Sequence, residues 1–312
     1  MDYPLDLTII VPNYNTKGLL RDCLTSIYKY TTGILFEVVC VDDNSPDGSA
    51  DMVAEEFPQV VLVRNKVGLL YAKNNNLGMK MSRARYACLL NSDTYIFANA
   101  FGALVEFMDS HPDAAACTPT LLNPDRSVQS SVRRFPDLSV LFLQSINWHK
   151  LFPDGRVGRE YYASNLDHDK EQQVDAVGST ALVLRRSTWE QAAMLDERFP
   201  LYSVDLAYCY MLRQKGLKLY YVPSAKIVHY GSQSVDQMPK KSLRAAHDGF
   251  QSMNRYYNYF GSNPIVKTLV SWAIEARYAL KIAEWHLRKD KRANSGPGRP
   301  KLGATPPPTQ VK

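Results

Sequence analysis

The sequence predicts an α/β fold: a Rossmann-like, mostly parallel central sheet with helices on both faces, followed by C-terminal amphipathic helices. Two observations lead there. Over the first hundred residues, apolar β-branched runs of strand length alternate with segments of helical spacing, the order expected of βαβ units. These runs end in polar clusters: Asn13, Tyr14 and Asn15, then Asp42 and Asp43, then Asn91, Ser92 and Asp93. In a parallel sheet such ends share one edge, the edge beyond which ligands collect.

The elements follow in order. Residues 7–11 are a β-branched run closed by Pro12, and 19–30 have helical spacing through Leu20, Cys23, Leu24 and Ile27. Residues 36–41 read as a buried strand, 49–56 as a helix, 60–63 as a strand, 71–81 as a helix and 86–90 as the strand before Asp93. From 119 to 175 the pattern gives way to a loop-rich insertion containing Arg133, Arg134, Phe135, Pro136 and Trp148. Strand character returns over 174–184 around Gly178, helical spacing over 206–215, and two short strands over 217–222 and 227–228. Residues 265–287 then carry an apolar stripe of Ile265, Leu269, Trp272, Ala276, Leu280, Ala283 and Leu287. Lys267, Glu275, Arg277, Lys281, Glu284 and Arg288 lie opposite it, so this is a strongly amphipathic helix. The stripe either packs on the body or lies in a membrane interface, with Trp272 and Trp285 near the headgroups. After Asn294 the Gly/Pro-rich end cannot build a core and is expected to be disordered.

Of the 312 residues, 45% are hydrophobic and 22% charged, ordinary values for a globular enzyme-sized chain. The net charge of +6 is concentrated at the end, in Arg288, Lys289, Lys291, Arg292, Arg299, Lys301 and Lys312. A local basic tail of this kind suits an anionic membrane face, and no nucleic-acid partner is expected. The five cysteines are scattered without a CxxC pair, which fits thiols in a reducing compartment. Residues 1–4 have no positive n-region, and no run of about 18 apolar residues exists. The expected location is cytoplasmic, either free or peripheral on the cytoplasmic face of the membrane.

Several chemistries lack their motifs. There is no GxGxxG after the first strand, no GxxxxGK[ST], no HExxH, no zinc-type Cys/His spacing and no GxSxG elbow. A nucleotidyltransferase would share the sheet but would need a basic glycine-rich loop near the first strand. What remains is Asp42, Asp43, Asp93, Asp205 and His229. Asp93, with no basic neighbour in sequence, suits a hard divalent cation carrying a phosphate. The same residue also suits a turn or a cap for a helix starting near Asn99. Asp205 reads equally as an N-cap, residues 42–45 as a turn, and His229 as a satisfied surface histidine. Arg133 and Arg134 are either solvated or placed to contact a phosphate of an acceptor.

An ordered series of motifs adds a family resemblance. It runs through Val11, Pro12, Asn13, Tyr14 and Asn15; Val41 to Ser45 with Asp47, Gly48 and Ser49; Asn65 to Gly68 with Ala72, Lys73, Asn74 and Asn75; and Leu89 to Thr94. It continues with Val177 to Ala181, Leu195 to Phe199, Tyr202 to Asp205, and Val222 and Pro223 leading to His229, Tyr230 and Gly231. From residue 7 to 234 this series resembles the family-2 glycosyltransferases, and most closely their rhamnosyltransferase-like branch, in which a similar Arg–Phe–Pro segment occurs.

The resemblance implies a GT-A fold and inverting transfer of a sugar, such as rhamnose, from a nucleotide-diphosphate donor to a hydroxyl of a glycan or lipid-linked acceptor in cell-surface polysaccharide synthesis. By position, Pro12, Tyr14, Asn15, Asp42, Asp43, Gly68, Lys73, Asn91 and Ser92 would bind the donor nucleotide, Asp43 facing the base. Asp93 and His229 would hold Mg²⁺ or Mn²⁺, Asp205 would be the general base, and Gly178, Ser179, Arg133 and Arg134 would face sugar and acceptor. On this reading residues 1–118 are the donor half, 119–235 the acceptor half, 236–293 a helical segment and 294–312 a basic tail. Two departures stand out: Val204 and Ala207 occupy positions where the family has acids, and Asn91 and Ser92 leave Asp93 as the loop's sole carboxylate. They leave open a catalytically silent GT-A domain that binds a sugar nucleotide or serves as a partner subunit.

Overall fold

A computed structural model describes residues 3–135, 140, 143, 151–152, 155–199, 201–231, 251–252, 254–256 and 264–293. Pro136, Trp148, residues 232–250 and the tail 294–312 lie outside these.

The chain opens as strand β1 (Leu5–Asn13), helix α1 (Lys17–Tyr30), β2 (Phe36–Asp42), α2 (Ser49–Glu56), β3 (Val61–Arg64), α3 (Leu70–Met81) and β4 (Ala84–Leu90). A short β5 (Thr94–Ile96), helix α4 (Ala100–Ser110), β6 (Ala114–Leu122) and β7 (Val132–Arg133) follow. Beyond them come α5 (Arg156–Glu160), β8 (Gln172–Val174), β9 (Ala176–Val177), β10 (Ala181–Arg185), α6 (Arg186–Gln191), α7 (Val204–Gln214), β11 (Lys218–His229) and the long α8 (Pro264–Ala293). The main sheet runs β3-β2-β1-β4-β10-β6-β11-β5, with β8 paired to β11. β1 to β4, β6 and β11 are parallel; β10 runs antiparallel between β4 and β6, and β5 and β8 run antiparallel to β11.

The expected mostly parallel sheet is therefore present, with an antiparallel strand inserted at its centre. One apolar cluster, including Ile9, Cys23, Leu24, Cys40, Cys88, Phe101 and Leu104, packs α1, α2 and α4 on one face. A second, including Ile10, Ala72, Met79, Leu182, Trp189, Tyr208 and Tyr221, packs α3, α6 and α7 on the other. All five cysteines are buried free thiols. Gly78 brings α3 against β1: a Cβ there would lie 2.3 Å from Ile10 Cγ2, so no larger residue fits without displacement.

Two expectations change, and one open alternative narrows. Residues 217–228 form one strand, β11, not two; its register shifts between Val222 and Lys226, where Pro223 has no N–H to donate. The stretch 174–184 is not continuous but divides into β8, β9 and β10 around Gly178. For the amphipathic stripe of α8, left open between packing and a membrane interface, the described members Ile265, Leu269, Trp272 and Leu280 are 63 to 76% exposed. The helix instead turns a narrow seam inward, with Ile274 1% exposed and Ser271 Oγ donating to Asn254 Oδ1 at 2.6 Å. The side chains of Lys281, Ala283, Glu284, Trp285, Leu287 and Arg288 lie outside the described ones. Among the described residues, no helix is long and apolar enough to cross a membrane.

Candidate active site

The carboxyl ends of β1, β2, β4, β6 and β11, with the start of β10, bring every polar cluster to one sheet edge. At the end of β1, Asn13 Nδ2 donates to Asp42 Oδ1 at 3.0 Å, and Ser45 N–H donates to Asp42 Oδ2 at 3.0 Å. Asp43 accepts from the backbone N–H groups of Leu69 (2.7 Å) and Leu70 (3.0 Å) and from Asn65 Nδ2 (3.1 Å). It thereby draws in the loop that carries Gly68, whose Cβ position would lie 3.8 Å from Asp43 Oδ2. Leu70 donates from a left-handed backbone (φ 67), a conformation that Asn15 (54), Asn44 (63) and Ser203 (61) also adopt. Non-glycine residues in this region are strained, and such strain gathers at ligand sites. Pro12, Tyr14 and Asn15 are half-buried at the β1 end, whereas Lys73 is exposed on α3.

Asp93 does not cap a helix. Asn99 caps α4, accepting from Gly102 N–H, and Asp93 sits buried in the loop between β4 and β5. Ser92 Oγ lies 3.0 Å from Thr16 Oγ1, and Asn91 O accepts from Thr94 Oγ1 at 2.8 Å, so the loop is fastened to the start of α1 and to itself. Its backbone also reaches both neighbours: Asn91 N–H donates to Thr180 O, and Tyr230 N–H donates to Asp93 O, each at 2.9 Å. The second bond sets His229 beside Asp93, with Nε2 3.3 Å from Asp93 Oδ1; the two side chains are 11% and 4% exposed.

Asp205 lies in the first turn of α7, partly buried. Leu206 N–H donates to its Oδ1 at 2.9 Å, and Ser179 N–H also donates to the carboxylate. Burial nevertheless dominates and raises its pKa above the usual carboxylate range, against the pull of these N–H groups and of Arg133. Gly178 is the close neighbour: a Cβ there would lie 3.8 Å from Asp205 Oδ2. Val204 and Ala207, flanking Asp205, are buried in the apolar core.

Gly178 N–H donates to Ser131 O at 2.9 Å, which joins the Asp205 wall to a cavity of about 440 Å³ lined by Val128, Ser131, Val132, Tyr162, Leu166 and His168. Arg133 stands at its rim, its guanidinium 4.9 Å from the centre of the Tyr162 ring and its Nη1 bonded to Ser130. Arg134 is anchored by its backbone N–H to Tyr161 O at 3.0 Å. The sheet edge thus gathers Asp42, Asp43, Asp93, His229, Gly178, Ser179 and Asp205, while Gly68 and Lys73 are exposed.

Other residues support the site without having been singled out. Asn76 exchanges hydrogen bonds with the Leu195 backbone (2.9 and 3.0 Å), pinning the segment before Asp205 to α3. Tyr71 Oη–H donates to Ser179 O at 2.6 Å. Three consecutive asparagines inside a helix, 74 to 76, defy helix propensity and are the signal that was available for Asn76.

The family model for glycosyl transferase family 2 matches residues 8–191, more than half of the chain. The chain belongs to this family. Among its relatives is the N-acetylglucosaminyl-diphospho-decaprenol L-rhamnosyltransferase of Mycobacterium tuberculosis, 26% identical over 252 residues, covering 77% of this chain and 81% of the relative. A poly(ribitol-phosphate) beta-glucosyltransferase of Bacillus spizizenii is 30% identical over 102 residues, covering 31% of this chain and 16% of the relative. Among solved structures, GalNAc-T7 with UDP, GalNAc and Mn²⁺ superposes with a TM-score of 0.55 at 16% identity, covering 72% of this chain and 44% of that one. Staphylococcus aureus TarS 1–349 gives 0.53 at 14%, covering 88% and 71%. The fold of this glycosyltransferase is thus GT-A.

Do the residues fit a divalent cation? Among the described residues no cluster of three or more His, Cys, Asp or Glu side chains is built to hold one. Asp93 and His229 supply one carboxylate and one imidazole, 3.3 Å apart and nearly dry. That pair fits a cation that brings further oxygen ligands with it, as Mg²⁺ and Mn²⁺ do when they enter with a diphosphate.

Proposed function

We propose that this glycosyltransferase moves a sugar, with rhamnose the first to test, from a nucleotide-diphosphate donor to a hydroxyl of a glycan or lipid-linked acceptor, with inversion. The observation that carries the reading is Asp205: a carboxylate whose pKa burial raises, held against the 178–179 backbone on the sheet edge that also holds Asp93 and His229, with Gly178 bonded to Ser131 of the cavity wall. An inverting displacement needs one base opposite the leaving group, and raising a carboxylate's pKa brings it closer to the working pH. Asp205 takes the proton of the acceptor hydroxyl, which binds from the cavity side. Pro12, Tyr14, Asn15, Asp42, Asp43, Gly68, Lys73, Asn91 and Ser92 lie toward the donor nucleotide. Asp93 and His229 would hold Mg²⁺ or Mn²⁺, which would supply Lewis-acid neutralisation of the departing diphosphate.

Rhamnose and a lipid-linked acceptor are favoured by the mycobacterial relative's named activity. The same acceptor class suits α8, whose outward Leu269, Trp272 and Leu280 and following basic residues fit the interface of an anionic membrane, which supports a peripheral enzyme working at the cytoplasmic face. Arg133, at the cavity rim, is placed to meet an acceptor phosphate. A panel of dTDP-, UDP- and GDP-sugars with Mn²⁺ and a polyprenyl-diphosphate-linked acceptor tests the reading. Donor-dependent transfer abolished in Asp205→Asn supports it; transfer unchanged in that variant removes Asp205 as base.

A second reading has one observation behind it. Val204 and Ala207 are core residues here, so no neighbouring acid assists Asp205. A silent domain would bind a sugar nucleotide, visible as a rise in Tm, without turnover.

A further inference from the structure

Gln129 carries a hydrogen-bonding direction that ends on His229. His229 Nδ1 lies 2.7 Å from Gln129 Oε1. The Gln129 amide is held in that orientation, because its Nε2 donates to Asn123 Oδ1 at 3.0 Å. Asn123 Nδ2 in turn donates to Ser127 Oγ at 2.9 Å, and the Ser127 hydroxyl donates to Asp125 Oδ1 at 2.6 Å. A carboxylate only accepts, so the chain that ends on Asp125 has its direction set at every link. Gln129 therefore presents a carbonyl oxygen to the histidine, and Nδ1 must be the donor.

In the neutral imidazole, Nε2 then holds a lone pair. That nitrogen is buried and makes no hydrogen bond, while Asp93 Oδ1 lies 3.3 Å away. A lone pair facing a carboxylate in a dry site repels it unless a proton or a metal cation joins the two. Metal-ligating histidines commonly donate their other ring N–H to a fixed acceptor in this way.

We infer that Gln129 is the positioning residue of the cation site, fixing the tautomer and ring orientation of His229 so that Nε2 and Asp93 face a divalent cation together. The inference rests on the cation reading of the proposed function and adds to it the residue that prepares the ligand. It also gives the loop over residues 122–129 a role beyond connection. Val128 lines the cavity that Ser131 ties to Gly178, and Gln129, the next residue, holds His229.

The test uses the full chain with ¹⁵N-labelled histidine. Long-range NMR correlations report the His229 tautomer without any metal, and Mn²⁺ titration followed by electron paramagnetic resonance, with UDP or dTDP present, reports cation binding. In the unaltered chain His229 carries its proton on Nδ1. Gln129→Leu loses that preference and weakens Mn²⁺ binding about 10–100-fold. Gln129→Glu, which keeps an acceptor oxygen, keeps the proton on Nδ1 and serves as the folding control. A doubly protonated His229 paired with Asp93, or a tautomer and Mn²⁺ affinity unmoved by Gln129→Leu, overturns the inference. If the unaltered chain takes up no Mn²⁺ while Gln129 still sets the tautomer, the cation reading itself falls and the orientation stands.

Discussion

The two halves of the polar edge are built on opposite principles. On the donor side Asp42, Asp43 and Asp47 are saturated: Asp42 by Asn13 and Ser45, Asp43 by Asn65, Leu69 and Leu70, and Asp47 by the N–H groups of Lys17 and Ser49. On the acceptor side Asp205 is pushed by burial toward its protonated form, and His229 Nε2 is buried without a hydrogen bond. Saturated carboxylates shape a loop; groups left electrostatically unsatisfied store the capacity to take up a proton or a cation. The contrast distinguishes scaffold from chemistry more sharply than residue type does, since aspartate serves both.

The largest test of that contrast is Asp205→Asn. Loss of a positioned base should lower kcat about 10²–10⁴-fold. The sign on stability is opposite. A pKa raised in the folded state means that the contribution of Asp205 to stability is fully present below its unfolded value and is lost as pH rises through the raised folded value. Near neutral pH the ionised, buried carboxylate is therefore a cost, and the variant should melt at or above the unaltered Tm, with the gain vanishing in acid. The acid limb of the transfer rate should also disappear in this variant; a lower Tm at neutral pH would place Asp205 among the saturated carboxylates.

Next in size, Asp93→Ala and His229→Ala should each reduce Mn²⁺-dependent transfer by roughly two orders of magnitude, the order of the several kcal/mol that a Lewis acid supplies. Asp43→Ala should instead act through the loop that Leu69 and Leu70 lead, raising the donor KM more than it lowers kcat, because a shaping residue contributes to uniform binding. Equal losses in both would move Asp43 to the chemical side of the comparison. Gly78→Val, far from any chemistry, should cost about 1–3 kcal/mol by overpacking Ile10, read as a lower urea midpoint with kcat retained. The smallest effect on stability belongs to the double change Leu269→Ser with Trp272→Ser. Its exposed sites should leave stability within about 0.5 kcal/mol, while sedimentation with anionic vesicles falls away; retained vesicle binding would release α8 from a membrane role.

Much of this was legible in the sequence. Polar residues at successive strand ends must meet at one edge once the sheet is parallel, and so Asn13, Asp42 and Asp93 were grouped from their spacing alone. Asp205 and His229 joined them only through the ordered family motifs, because nothing local distinguishes a catalytic aspartate from an N-cap. Gln129 was not legible: it lies in a loop without periodicity, and its meaning comes from a histidine 100 positions away. The direction of the α8 stripe was not legible either. Periodicity says that a helix has an apolar face but not what covers it, and here Ile274 rather than Leu269 or Trp272 faces the body.

The antiparallel β10 has a consequence for how the chain is made. It pairs with β4 on one side and β6 on the other, so the first four parallel strands cannot join the rest of the sheet until residues 181–185 have left the ribosome. Until then the nascent chain exposes two long apolar strand edges, on β4 and β6, that are open to wrong partners. Closing the sheet brings Ala181 back to Leu90, a contact of long sequence separation that should slow folding. Fragments ending before residue 181 are thus expected to aggregate, and expression should depend on keeping β10 with the segment it completes.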